Sequence, residues 1–383
     1  MQNNQRFEQI TQFVRGIYGD DFIPLHRPIF AGNEKQYLTD CIDSNFVSSV
    51  GEKVTEFERE IAGFTGSNYA VATVNGTSAL HVSLLLSDVE PADEVITQAL
   101  TFVATCNAIS YCNASAVFID VDRDTMGMSP VALENFLNEF CEIRDGFTYN
   151  KSNGKRVKAC VPMHTFGIPC RIQEISSICK KWNISLIEDA AESLGSCYND
   201  KHTGTFGDFG TLSFNGNKII TTGGGGMILT DNEPLAKRSK HITTTAKVPH
   251  PYEFFHDEIG FNYRLPNLNA ALGIAQMEQL HSILESKKEI FKQYKIFFEG
   301  HRIEMAEALP SCTSNNWLNA IILSDRSERD SFLHYTNENG VMTRPIWKLM
   351  SDLPMFQNCQ RDALLNSYWL QDRVVNIPSS VPN

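Results

Sequence analysis

The chain has 383 residues, 42% of them hydrophobic, with 33 Lys and Arg against 45 Asp and Glu and a formal net charge of −12. That length exceeds one average domain and predicts a large domain plus a smaller one. The acidic balance excludes nucleic acid as the main partner, because binding a phosphate backbone needs clustered basic residues.

No apolar run nears the roughly 20 residues of a membrane span, and the first residues lack the apolar core of a signal peptide. Ten cysteines occur without a CxxC pair. They read as reduced thiols of a cytoplasmic protein, not as a disulfide framework. His164 and Cys170 stand close in sequence, but no second metal-like pair follows, so no metal site is expected.

In chain order, Gly51–Gly66 reads as an amphipathic helix stopped by glycine. "YAVATV" (Tyr69–Val74) is a strand candidate, and a helix opens directly after it at Gly76-Thr77-Ser78. Strand candidates follow at Asp93–Thr97 and Ala116–Val121, then a helix in "SPVALENFLNEF". The polar, glycine-bearing Arg144–Arg156 stretch reads as an exposed excursion. Ala159–His164 is the next strand, "IQEISSICKKW" the next helix, and Ser185–Ala190, Thr211–Phe214 and Gly226–Thr230 complete the set. Short Val-, Ile- and Phe-rich runs alternating with helices predict an α/β domain with a mostly parallel sheet. Beyond Gly260, Leu265–Phe298 reads as one long helix joining residues 1–260 to a smaller C-terminal unit at 261–383. That unit has a strand candidate in "WLNAIILS" and a helix candidate in "ERDSFLHYTNENG".

The stretch "LSFNGNKIITTGGGGMILT" sets Lys218 before four consecutive glycines. A Walker loop needs Gly-Lys followed by Ser or Thr, but Asn217 precedes Lys218 and Ile219 follows it. The glycines of "GTFGDFG" precede a strand, where the dinucleotide fingerprint follows one. Glu188-Asp189 closes an apolar strand, where ligands of open α/β sheets bind; an Asp there serves equally well as a helix N-cap. The Gly76-Thr77-Ser78 turn suits a phosphate at a helix N-terminus, and is also an ordinary cap. Taken together, a lysine, a strand-end aspartate and a helix-terminal cup are the parts that hold pyridoxal phosphate. The lysine links to its aldehyde, the aspartate keeps the ring nitrogen protonated, and the helix end takes the phosphate.

The chain resembles the DegT/DnrJ/EryC1/StrS sugar aminotransferases, through "VSSVGEKVTEFE", "VATVNGTSALH", "TQALTFVATCNAISYC", "VPMHTFGIPCRI", "IEDAAESLGS", "SFNGNKIITTGGGGM", "GFNYRLPNLNAALG" and "TRPIW". Within them it is most similar to the LegC-type branch, which makes 4-amino sugars for legionaminic-acid-like and bacillosamine-like products. The resemblance implies fold type I (aspartate aminotransferase-like) architecture and a homodimer with its active site at the subunit interface. It places the cofactor-linking lysine at Lys218, the ring-nitrogen partner at Asp189, and phosphate contacts at Gly76, Thr77, Ser78 and Ser213. Phe102 matches an aromatic that stacks on the ring. Glu192 stands where many members have Gln or His near the phenolic oxygen, and Asn262 matches a phosphate contact made across the dimer interface. Ser48, Ser49, Gly51, His164, Lys247, Arg264, Arg344 and Trp347 lie in motifs that approach the substrate or serve structure. The expected reaction converts a nucleotide-linked 4-keto-6-deoxy sugar to the 4-amino sugar with L-glutamate as donor; UDP-2-acetamido-4-keto-2,6-dideoxyhexose is the first expectation, and the sequence leaves open the nucleotide (UDP, GDP or dTDP) and the substituents at C2 and C3. The cofactor is expected to alternate between pyridoxal and pyridoxamine phosphate; a 3-dehydratase on the same scaffold, dependent on pyridoxamine phosphate, carries His in place of the lysine, and a non-catalytic binding relative would not need the full cofactor set.

Overall fold

The computed structural model describes residues 2–49 and 51–382; Val50, inside the Val47–Glu58 motif, lies outside the described residues. Seven strands form the central sheet in the order Tyr69–Thr73, Gly226–Thr230, Phe209–Ser213, Ser185–Asp189, Val157–Val161, Glu94–Gln98, Ser115–Ile119. Gly226–Thr230 runs antiparallel to both of its neighbours, and the other pairings are parallel. Both faces are covered, which is why these strands read as continuous apolar runs and not as alternating ones. Along Ser115–Ile119, Ala116 and Phe118 enter one core while Val117 and Ile119 enter the other.

The helices begin and end where local chemistry dictates. Gly66 stops the Glu52–Thr65 helix in the left-handed region at φ 74°. Asn75 caps the Gly76–Leu86 helix by accepting from the Ser78 amide, and Ser129 caps Pro130–Phe140. Asn267–Gly300 forms one helix of 34 residues. It leads to a four-stranded antiparallel sheet of Glu304–Met305, Asn319–Ile322, Val374–Ile377 and Arg344–Pro345. Phe7, Ile10 and Val14 of the Gln2–Tyr18 helix share a core with Phe332, Val375 and Ile377. The 1–260 span drawn from sequence therefore includes a helix that packs on the C-terminal sheet.

The Arg144–Arg156 stretch is more than an exposed excursion. Cys141–Arg144 and Phe147–Asn150 pair as a hairpin. Thr148 and Asn150 are buried, and the Asn150 amide donates to Glu94 at 2.7 Å and to Gln360 at 2.6 Å. Polar residues that pair inside look the same in sequence as polar residues in water.

Candidate active site

Asp189 ends its strand at the carboxyl edge of the sheet. No helix starts after it, so it is not an N-cap. Its carboxylate accepts from the Thr105 hydroxyl at 2.6 Å and from the Ala191 amide at 3.2 Å. Burial pushes its pKa up; the Thr105 bond, the Ala191 amide and the positive charge of Lys218 oppose the rise.

Lys218 lies in the loop that joins Phe209–Ser213 to the antiparallel Gly226–Thr230 strand, so the same sheet holds both ends of the loop. Its Nζ sits 3.2 Å from Glu192 Oε1 and 4.2 Å from the centre of the Trp317 ring. The other Glu192 oxygen accepts from the Phe166 amide at 2.9 Å. Burial raises the Glu192 pKa and Lys218 pulls it back down.

The third wall is the start of the Gly76–Leu86 helix, whose first amides have no partner within the helix. The Ser78 amide is already taken by Asn75 at 2.8 Å, which leaves those of Gly76 and Thr77. Two close approaches build this wall. A Cβ on Gly76 would lie 2.9 Å from the Ser213 Cβ, and one on Gly226 would lie 2.4 Å from the Asn75 carbonyl carbon. The last two glycines of the run thus divide their work: Gly225 lines the site and Gly226 lets the sheet touch the helix start.

Gly76, Thr77, Phe102, Asp189, Glu192, Ser213 and Lys218 line one cavity of about 310 Å³. Phe102 is half exposed at its rim, 6.4 Å from Trp347, which packs on Phe166 at 5.0 Å. The other expected residues fall elsewhere. Arg264 approaches the Ser49 hydroxyl at 3.5 Å and, with Lys247, lines a separate shallow cleft. Asn267 donates its amide to the Ser48 carbonyl, and its side chain packs where a Gly51 Cβ would be. Asn262 and Arg344 are exposed, and Arg344 bonds Asn337 at 3.2 Å.

Of the two readings its motif leaves open, substrate contact or structure, His164 takes the structural one here. It is fully buried. Its Nε2 meets Glu188 at 3.0 Å, and its Nδ1 accepts from the Cys170 amide. Glu188 also accepts from the amides of Gly204, Phe206 and Gly207. The pair braces the strand end beside Asp189. Thr105, Asn315 and Trp317 were missed from sequence, since their contacts join segments 84, 123 and 100 residues apart. His241, Asp257 and Glu258 bring ligand-type atoms within 4.8 Å of one another, but Arg238 already pairs with Glu258. Among the described residues no helix is long and apolar enough to cross a membrane.

These donors fit pyridoxal phosphate. A Cβ on Gly76 would fill the cradle, the amides and hydroxyl beside it suit a phosphate, and an amine and a buried carboxylate share the same cavity. The sheet and its site define a pyridoxal-phosphate-dependent aminotransferase of the α/β, aspartate aminotransferase-like class. Residues 28–382 match the model of the DegT/DnrJ/EryC1/StrS aminotransferase family. EpsN of Bacillus subtilis (strain 168) is 38% identical, over 87% of this chain and 84% of its own. GDP-perosamine synthase of Escherichia coli O157:H7 is 34% identical, over 94% and 93%. The fold is shared with Helicobacter pylori PseC, an aminotransferase involved in the biosynthesis of pseudoaminic acid, at a TM-score of 0.83, 22% identity and 93% of each chain. The chain belongs to the DegT/DnrJ/EryC1/StrS aminotransferase family.

Proposed function

We propose that the protein moves the amino group of L-glutamate to C4 of a nucleotide-linked 4-keto-6-deoxy sugar. UDP-2-acetamido-4-keto-2,6-dideoxyhexose is the acceptor expected of the LegC-type branch. The observation that carries this reading is the single cavity faced by Lys218, Asp189, Ser213 and the Gly76–Thr77 helix start. When bound, pyridoxal phosphate supplies an aldehyde that links to amines and a ring that accepts electrons.

The chain's own groups divide the remaining work. Lys218 Nζ holds the cofactor between turnovers and carries the proton to and from the substrate carbon. Asp189, held by Thr105, would keep the ring nitrogen protonated. Gly76, Thr77 and Ser213 would bind the phosphate, with Ser78 behind them. Phe102 would stack on the ring, and Glu192, paired with Lys218, would serve the phenolic oxygen. Trp347, next to Phe102, would close the sugar side.

Asn262, Lys247 and Arg264 lie outside this cavity in one chain, so in this reading they serve the site of a second copy. Tyr252, Phe254, Phe255 and Ile259 are 60–87% exposed on the same stretch, a patch that a homodimer would cover. Lys218 disfavours the 3-dehydratase alternative, which carries His there.

A second reading concerns the nucleotide alone. Relatives from Escherichia coli O157:H7 and Vibrio cholerae, 34% and 33% identical, are named GDP-perosamine synthase, which favours trying GDP-linked acceptors too. UDP-, GDP- and dTDP-linked 4-keto sugars should each be incubated with glutamate and the products read by mass and NMR. A 4-amino product with release of 2-oxoglutarate supports the proposal; deoxygenation at C3, or no amination of any acceptor, refutes it.

A further inference from the structure

We propose that Asn315–Trp317 is a clamp that presents the Lys218 amine to the cofactor, and that Lys287 on the long helix anchors it. The proposal rests on the role given to Lys218 above.

Two residues of the C-terminal part, Trp317 and Asn315, grip the two sides of the Lys218–Glu192 pair. The Trp317 indole N–H donates to the Asn217 carbonyl at 2.6 Å, one residue before the lysine. Its ring face meets Lys218 Nζ at 4.2 Å. His26 packs on the Trp317 ring at 6.4 Å and an interplanar angle of 62°. The Trp317 amide donates to the Asn315 side chain at 2.9 Å. Asn315 in turn donates to the carbonyls of Glu192 at 2.8 Å and Leu194 at 2.9 Å. A Cβ on Gly167 would lie 2.0 Å from the Asn315 side-chain oxygen, so nothing but glycine leaves room for it.

Lys287 holds the clamp from behind. It is completely buried, and Nζ donates to the Trp317 carbonyl at 3.0 Å and to the Ser379 carbonyl. Both acceptors are neutral. Burial pushes the Lys287 pKa well down, and Nζ can donate both bonds in either protonation state.

The test uses the full chain freed of cofactor. Pyridoxal phosphate is added, and the rate at which the visible Lys218-linked band grows is followed by stopped flow. Misplacing a reacting group by about 1 Å costs up to about 100-fold, so Trp317→Leu should slow the band about tenfold or more. Trp317→Phe keeps an aromatic face but loses the indole donor and should fall between. Lys287→Met should slow the band too. The double variant should be no slower than Trp317→Leu, because both residues act through one contact. KM for glutamate should stay within about twofold, since the clamp touches no substrate.

Wild-type rates in folded Trp317→Leu, or additive slowing in the double variant, overturn the clamp. If Lys287→Met does not fold by circular dichroism, the graded Trp317 pair decides. If the wild-type chain forms no band, or Lys218→Ala keeps it, the Lys218 assignment fails and not the clamp.

Discussion

The four glycines after Lys218 should not behave alike when each is changed to alanine. At Gly226 a Cβ would lie 2.4 Å from the Asn75 carbonyl atoms and 2.6 Å from the Gly76 nitrogen, where ordinary contact begins at 3.4 Å. These neighbours are backbone, so relief requires the helix start to retreat by about 1 Å, and a shift of that size costs up to about 100-fold at a binding or reacting group. Overpacking adds about 1–3 kcal/mol of lost stability. Gly226→Ala should therefore weaken pyridoxal phosphate binding by roughly 100-fold. At Gly224 the nearest atom, the Val74 carbonyl oxygen, is 3.8 Å away and φ is not positive. Gly224→Ala should leave affinity unchanged and stability within about 0.5 kcal/mol. Gly223 has similar room but φ +80°, so alanine there should cost roughly 1–2 kcal/mol of stability with little effect on affinity. Absorbance titration of the cofactor-free chain gives the Kd, and urea melts give the stability. Wild-type affinity in a folded Gly226→Ala chain, or equal damage from Gly224→Ala, would refute the backbone-contact argument.

Three further expectations follow from the same site. Lys218→Ala should abolish both the visible linked band and turnover; retained turnover would show that another group moves the proton. Asp189 and Glu192 have pKa values raised by burial, so the folded cofactor-free chain holds these protons more tightly than the unfolded chain. Their contribution is therefore most favourable below the ordinary carboxylate values of about 4 and is lost as pH rises through the raised values. The stability of wild type relative to Asp189→Asn should fall across that window, less steeply with pyridoxal phosphate bound; a difference that grows with pH in urea melts would reverse the sign. Glu188→Gln puts an amide where two buried N–H groups point at either carboxylate oxygen. At about 1.5–3 kcal/mol per charge-assisted bond, it should lose roughly 3 kcal/mol or more in a denaturant melt. A loss below about 1 kcal/mol would mean that the network relaxes around the change.

What could be read from the chain alone depended on how far each signal reached. The strands at Glu94–Gln98 and Ser185–Asp189 are buried on both faces, and burial of that kind writes an uninterrupted apolar run. Gly66 and Ser129 mark helix ends through chemistry confined to a few residues. The antiparallel direction of Gly226–Thr230 left no local mark, because its composition is that of a buried parallel strand. His164 stood in a motif beside the substrate candidates, yet its partners Glu188 and the Cys170 amide consume both ring nitrogens. Asn150 looked solvated because its acceptors, Glu94 and Gln360, are 56 and 210 residues away. Trp317 read only as the opening of a strand; nothing near it in sequence predicts the lysine it meets.

The 34-residue Asn267–Gly300 helix spans about 51 Å at 1.5 Å per residue. Near its start, Asn267 and Asn269 bond the Phe46–Ser48 and Thr222–Gly224 backbones. Further on, Lys287 braces the loop that covers Lys218, and Tyr294 and Phe298 enter the C-terminal core. An unbroken rod with attachments along its length leaves little freedom for a hinge between the two sheets. Any opening for a bulky substrate would then fall to exposed segments such as Ser44–Ser49 and not to a hinge in this framework.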